Sequence, residues 1–181
     1  MGEDERLEES LAGAWVAADV VGLRPDYRAL LVAVDGLGHG PSDGGGGGAL
    51  IQAAQDAARA ALAGTEVEEI PHVAQWREAY RGFGAKPQRT RSSLEALLRR
   101  AASGLPRVNG LTDLYNAVSV LHQIPIGGED LDRYRGAPRL VRATGREPFD
   151  TVAGGADVVE HPEPGEVVWC DEAGVTCRRW N

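Results

Sequence analysis

"RTRSSLEALLRRAASGLPRVNGLTDLYNAVSVLHQIPIGGEDLD", residues 89–132, holds two helix patterns joined by a short link around Gly104 and Pro106. The first opens on Ser92-x-x-Glu95, the signature of a capping box, runs an apolar stripe through Leu94, Leu97, Leu98 and Ala101, and stops at Gly104. The second places Leu111, Leu114, Val118 and Leu121 three or four apart, as one buried stripe requires. Beside that stripe runs a polar one, Thr112, Asn116, Ser119 and Gln123, with Asp113 three residues before Asn116. A surface helix turns such a stripe to water; a helix beside a pocket turns it to a ligand. So short a link favours an antiparallel pair. It predicts that the stripe 109–119 faces a cleft closed on its other side by Lys86–Ser92.

Working outward, "VAQWREAYRGFG" (73–84) sets Trp76, Ala79, Tyr80 and Phe83 on one face, with Arg77 and Arg81 on another and Gly84 as a stop. That spacing predicts core aromatics, not base-stacking platforms. "AKPQRTR" (85–91) is a basic loop. Further upstream lie an alanine-rich helix over about 49–63, ended by Gly64, and the loop "GHGPSDGGGGG" (38–48). That loop is not a phosphate cradle, because neither a Lys-Ser/Thr pair nor a GxGxxG spacing accompanies it. The apolar run Ala29–Val34 reads as a buried strand. Downstream, "RLVRA" (139–143), "EVVWC" (166–170) and "VTCRRW" (175–180) read as strands, the last two forming a hairpin around "DEAG". Helices in the middle with strands on both sides predict an α+β fold, not a repeating βαβ pattern.

The chain of 181 residues carries a net charge of −8, distributed unevenly. Residues 1–75 carry 4 Arg against 13 Asp and Glu, whereas residues 76–107 carry 8 Lys and Arg against 2 Glu. A basic segment inside an acidic protein matters more to a phosphate-bearing partner than the total does. No apolar run approaches the roughly 18–20 residues of a membrane span. The acidic start, "MGEDERLEES", lacks a secretory layout, so the expected setting is cytoplasmic. Cys170 and Cys177 would not lie opposite each other in the hairpin and predict no disulfide. His39, His72 and His161 lack partners at ligand spacing, and His122 sits among apolar residues, so neither a metal nor a cofactor is expected. Nor is there a GxSxG element or another nucleophile signature.

Residues 89–132 resemble the central segment of the B3/B4 module of the bacterial phenylalanyl-tRNA synthetase beta chain. Asn109, Asp113, Asn116, Val118, Pro125 and Asp130 fall on its pattern without a gap, and "RLVRATGREPFD" is similar to its next strand and charged turn. "WREAYRGFGAKPQRTRSS" (76–93) is closer still to free-standing B3/B4 proteins. The resemblance runs from about residue 74 to 180 and is weak over 1–73. It implies a single domain over 1–181 with an unusual β-sandwich covered by helices in three layers, as in a domain of tRNA-lysidine synthetase. Family members continue beyond a sequence such as "CRRWN", so a truncated C-terminus is expected.

In the synthetase this module removes tyrosine wrongly attached to the phenylalanine tRNA, so the resemblance implies tRNA or aminoacyl-tRNA as partner. Hydrolysis of an activated ester needs a positioned water and donors for the developing oxyanion. Asn109, Asp113, Asn116 and Ser119 are the candidates for that work. Arg77, Lys86, Arg89 and Arg91, with Ser92 and Ser93 at a helix start, are the candidates for tRNA phosphate. Two departures stand out: the pattern's Glu falls on Leu121 and its His on Gly127. A site that reads a hydroxyl draws its discrimination from a polar partner, so tyrosine selectivity is not expected to carry over. Three functions follow as expectations: hydrolysis of a mischarged aminoacyl-tRNA in trans, RNA binding without chemistry, and binding of a small amino acid.

Overall fold

The computed structural model describes residues 3–37, 47–101 and 103–180, so most of the glycine-rich loop 38–48 lies outside them. Among the described residues the fold is α+β, with six helices and two small sheets. The chain divides into two compact units.

The sheet unit is built from residues 3–36, Gly82–Ala85 and Glu129–Trp180. It opens with α1 (Glu3–Ala12), β1 (Trp15–Val16) and α2 (Ala18–Leu23). After Glu129 come β2 (Arg139–Arg142), β3 (Phe149–Ala153), β4 (Ala156–Glu160), β5 (Val167–Cys170) and β6 (Val175–Cys177). The main sheet runs β1-β2-β5-β6, with β1 parallel to β2 and the other neighbours antiparallel. β2 and β5 are the inner strands, and Val167 and Val168 of β5 are fully buried. Trp180 closes this unit: it is 1% exposed, meets Tyr27 edge-on at 5.1 Å and lies 6.2 Å from Phe83. The β5–β6 hairpin turns at 171–174 as predicted, and Asp171 holds the turn by accepting from the amides of Ala173 (2.7 Å) and Gly174 (3.0 Å). In its register Cys177 pairs with Trp169 and Cys170 with Val175, and both thiols are free.

β3 and β4 form a hairpin that the sequence reading did not include. Its turn is Gly154-Gly155, both with positive φ (62° and 83°), between the paired residues Ala153 and Ala156. Two consecutive positive φ values are what a two-residue primed turn demands and what glycine alone supplies at little cost. The expected buried strand at 29–34 is corrected: the segment belongs to no strand, with Leu30 88% and Val32 71% exposed. An apolar run specifies compatibility with a pleated sheet, but a strand also needs a neighbour to complete its ladder.

The helical unit comprises Leu37–Arg81 and Lys86–Gly128. It contains α3 (Gly47–Ala61), α4 (Pro71–Gly82, whose last residue falls in the sheet unit), α5 (Ser93–Ala101) and α6 (Gly110–His122). Its core gathers Ile51, Ala54 and Ala58 of α3, Val73 of α4, Leu94, Leu97, Leu98 and Ala101 of α5, and Ala117 and Val120 of α6. α3 runs against α6, where the buried alanines Ala54, Ala58 and Ala117 let the two backbones come close. On α4 the predicted face holds for Ala79 and Tyr80, both buried, with half-buried Trp76 edge-on to Tyr80 at 6.3 Å.

That close packing rotates α6 away from its expected orientation. The buried positions are Asp113, Ala117, Ser119 and Val120, whereas Leu111 is 46% and Leu114 39% exposed. Of the four predicted stripe residues, Leu121 is partly buried against the core. Small side chains set the contact face here, because alanines admit a neighbouring helix where leucines would hold it off.

Candidate nucleic-acid interface

The start of α5 is organised around Glu95. Ser92 caps the helix, its Oγ accepting from the Glu95 amide at 3.3 Å. The reciprocal half of the predicted capping box does not form: the Glu95 carboxyl turns instead to three arginines. Its Oε1 accepts from Arg77 Nη1 at 2.7 Å and from Arg99 Nη2 and Nε at 2.9 and 3.1 Å. Arg91 Nε stands 3.7 Å from the same oxygen, within an ion pair but beyond a hydrogen bond. Arg99 also pairs with Glu68.

Glu95 is fully buried, and its Oε2 has no hydrogen-bond partner among the described residues. The arginines are graded in exposure: the Arg77 side chain is 11% exposed, Arg99 30% and Arg91 48%. Counting Glu68, the cluster keeps an excess of one positive charge, three guanidiniums against two carboxylates. Lys86 and Arg89 precede it, both exposed and making no side-chain hydrogen bond or ion pair among the described residues. Ser93, the first residue of α5, is half-buried. The structure thus brings Arg77 and Arg91 to one buried carboxyl and Ser92 to the amide of the same residue, and it adds Glu95, expected only as part of a capping box, and Arg99.

The four residues expected to do chemistry lie along α6. Asn109 is its N-cap, its side chain accepting from the Thr112 amide at 2.9 Å. Asp113 is 2% exposed and uses both oxygens, Oδ1 accepting from the Val108 amide (2.8 Å) and Oδ2 from Arg107 Nε (2.7 Å). Ser119 is fully buried and donates to the Ile124 carbonyl at 2.5 Å, closing the last turn of the helix. Gln123 follows in the left-handed region (φ 55°, ψ 39°), its carbonyl meeting His72 Nδ1 at 2.5 Å. Asn116 is half-buried, and its side chain makes no hydrogen bond among the described residues. Asn109, Asp113 and Ser119 therefore spend polar atoms on the helix that carries them, while Asn116 keeps its amide available.

Among the described residues no group of three or more His, Cys, Asp or Glu is arranged to hold a metal ion, and no helix is long and apolar enough to cross a membrane.

These features define an α+β module whose helical unit carries a cluster of arginines around a buried carboxyl. Comparison with protein families matches residues 75–181 to the B3/4 domain, and the chain belongs to that family. Neither the curated proteins nor the solved structures give a significant match. The matched range contains all of α5 and α6 and every residue named above as a candidate for chemistry or phosphate contact.

Proposed function

We propose that this protein is a tRNA-associated module that hydrolyses a mischarged aminoacyl ester in trans. The observation that carries the reading is the B3/4 match, which spans both the basic segment and α6. Arg77, Lys86, Arg89 and Arg91, with Ser92 and Ser93 at the start of α5, would receive the phosphates of the acceptor end. Polyanion recognition of this kind rests on local cationic surplus, which 76–107 supplies. Asn109, Asp113, Asn116 and Ser119 would serve the ester. Because the ester is already activated, one amide that orients a water and donors that meet the oxyanion suffice without a covalent nucleophile. Asn116 is the member of the set whose side chain fits that role most directly. Leu121 stands where the resembled pattern has a polar reader of the substrate hydroxyl, which supports an amino acid other than tyrosine as the substrate.

The test is turnover on a panel of mischarged tRNAs. Amino acid release above buffer for at least one ester is expected, abolished by Asn116→Ala with the melting temperature within a few degrees of the parent. If Asn116→Ala costs about 2–3 kcal/mol, as loss of a buried brace can, the polar stripe is structural and the hydrolytic reading fails.

A second reading, RNA binding without chemistry, is favoured by one observation: Asn109, Asp113 and Ser119 each make hydrogen bonds that brace α6 at its two ends. It is the correct one if tRNA binds with strong salt dependence and no ester in the panel turns over.

A further inference from the structure

Three guanidiniums share one oxygen of Glu95 while the other oxygen is left empty, an arrangement that pure stability does not favour. A carboxylate oxygen offers about two lone-pair sites, and three N–H groups already converge on Oε1. Arg91 arrives fourth, at 3.7 Å with no hydrogen bond, on the most exposed of the three arginine side chains. Its attachment is Coulombic alone, and its guanidinium end is open to solvent that screens the pair. Arg77 and Arg99 are held by hydrogen bonds to a fully buried acceptor, and charge-assisted bonds of that kind are roughly twice as strong as neutral ones.

We propose that Glu95 is the positioning residue of this face and that Arg91 is its exchangeable partner: Arg91 leaves the carboxyl for an incoming phosphate while Arg77 and Arg99 stay. The chemistry favours that division. A phosphate group offers Arg91 two oxygens in a bidentate geometry, whereas Oε1, the oxygen it stands beside, already accepts from three N–H groups. When Arg91 leaves, Arg77 and Arg99 still neutralise the buried carboxyl, so the core loses no hydrogen bond. Glu95 therefore serves as an internal counter-ion that keeps Arg91 close to the start of α5 when no phosphate is present. This inference rests on the reading that the face meets RNA, and it names the residue that makes the contact.

The experiment is a titration of the full chain with inorganic pyrophosphate, followed through the arginine Nε–H resonances. The Arg91 resonance is expected to move and those of Arg77 and Arg99 to stay. Glu95→Gln, which keeps an acceptor oxygen but removes the competing charge, should raise pyrophosphate affinity about three-fold. If that variant fails to fold, the three resonances of the parent protein still decide. Movement of Arg77 or Arg99 together with Arg91, or no movement of Arg91, overturns the proposal. The same titration with deacylated tRNA separates the two claims. A response to pyrophosphate with no tRNA binding removes the RNA reading and leaves the exchange. Binding of tRNA with Arg91 unmoved removes the exchange and leaves the reading.

Discussion

Two buried glutamates, one in each unit, meet arginine in opposite ways. In the sheet unit Glu166 takes Arg178 as a fork: Oε1 accepts from Nε at 2.9 Å and Oε2 from Nη2 at 2.7 Å, with the Glu163 amide adding 3.2 Å to Oε2. Burial pushes its carboxyl up, but the Arg178 bonds and the amide outweigh that, and it titrates below the ordinary glutamate range. In the helical unit Glu95 concentrates three arginines on one oxygen and leaves the other without a donor. A closed, two-oxygen pair is what a structural brace looks like, since both ions are compensated where they stand. An overcrowded oxygen with a loosely held, half-exposed arginine beside it is what a binding face looks like. The difference sets Arg178, held by the fold on both carboxylate oxygens, apart from Arg91, which stands beside Glu95 without a hydrogen bond.

The strongest way to break this comparison is at Arg178. Its side chain is 13% exposed, and Arg178→Ala leaves Glu166 buried without a counter-ion, so a loss of about 3–5 kcal/mol is expected. Urea denaturation measures it. A loss below about 1 kcal/mol would mean that the closed pair is not a brace. The next largest effect is expected at Asp113. Asp113→Asn leaves either the Val108 amide or Arg107 facing a donor, at a cost of about 1–3 kcal/mol. Unchanged stability with lost hydrolysis would mark these bonds as incidental to the fold and leave Asp113 to the chemistry alone.

The same contrast explains what the sequence could and could not reveal. The ends of α5 were legible because Ser92 and Gly104 are local signals, and Gly104 does take a positive φ of 107°. Strands β2, β5 and β6 were legible as short β-branched runs, and the turn at 171–174 as a polar break between two of them. The β3–β4 hairpin carries its sequence signal in Gly154-Gly155, a glycine pair between two short runs that include β-branched residues. The orientation of α6 was not legible, because hydrophobic spacing ranks leucine above alanine while close helix packing favours the small residue. For the same reason the run 29–34 misled: apolar content says that a segment can be a strand, and only a neighbour makes it one. Within the site, the basic segment was visible as charge, but Glu95 was not. Its position in a capping box explained it fully, and only the fold brings Arg77 from α4 to the same oxygen.

The smallest expected effect on stability is the most informative. Arg91→Ala removes a guanidinium that is 48% exposed, while Arg77 and Arg99 keep Glu95 compensated, so stability should change by no more than about 0.5 kcal/mol. Its effect should appear in RNA binding, where each phosphate contact contributes to the salt dependence. The most direct measurement is therefore the slope of log affinity against log salt for tRNA, taken for the parent chain and for Arg91→Ala. The account predicts a strongly negative slope for the parent, made shallower by about 0.7–0.9 in the variant. Equal slopes for the two proteins, or parent binding that does not respond to salt, would contradict it.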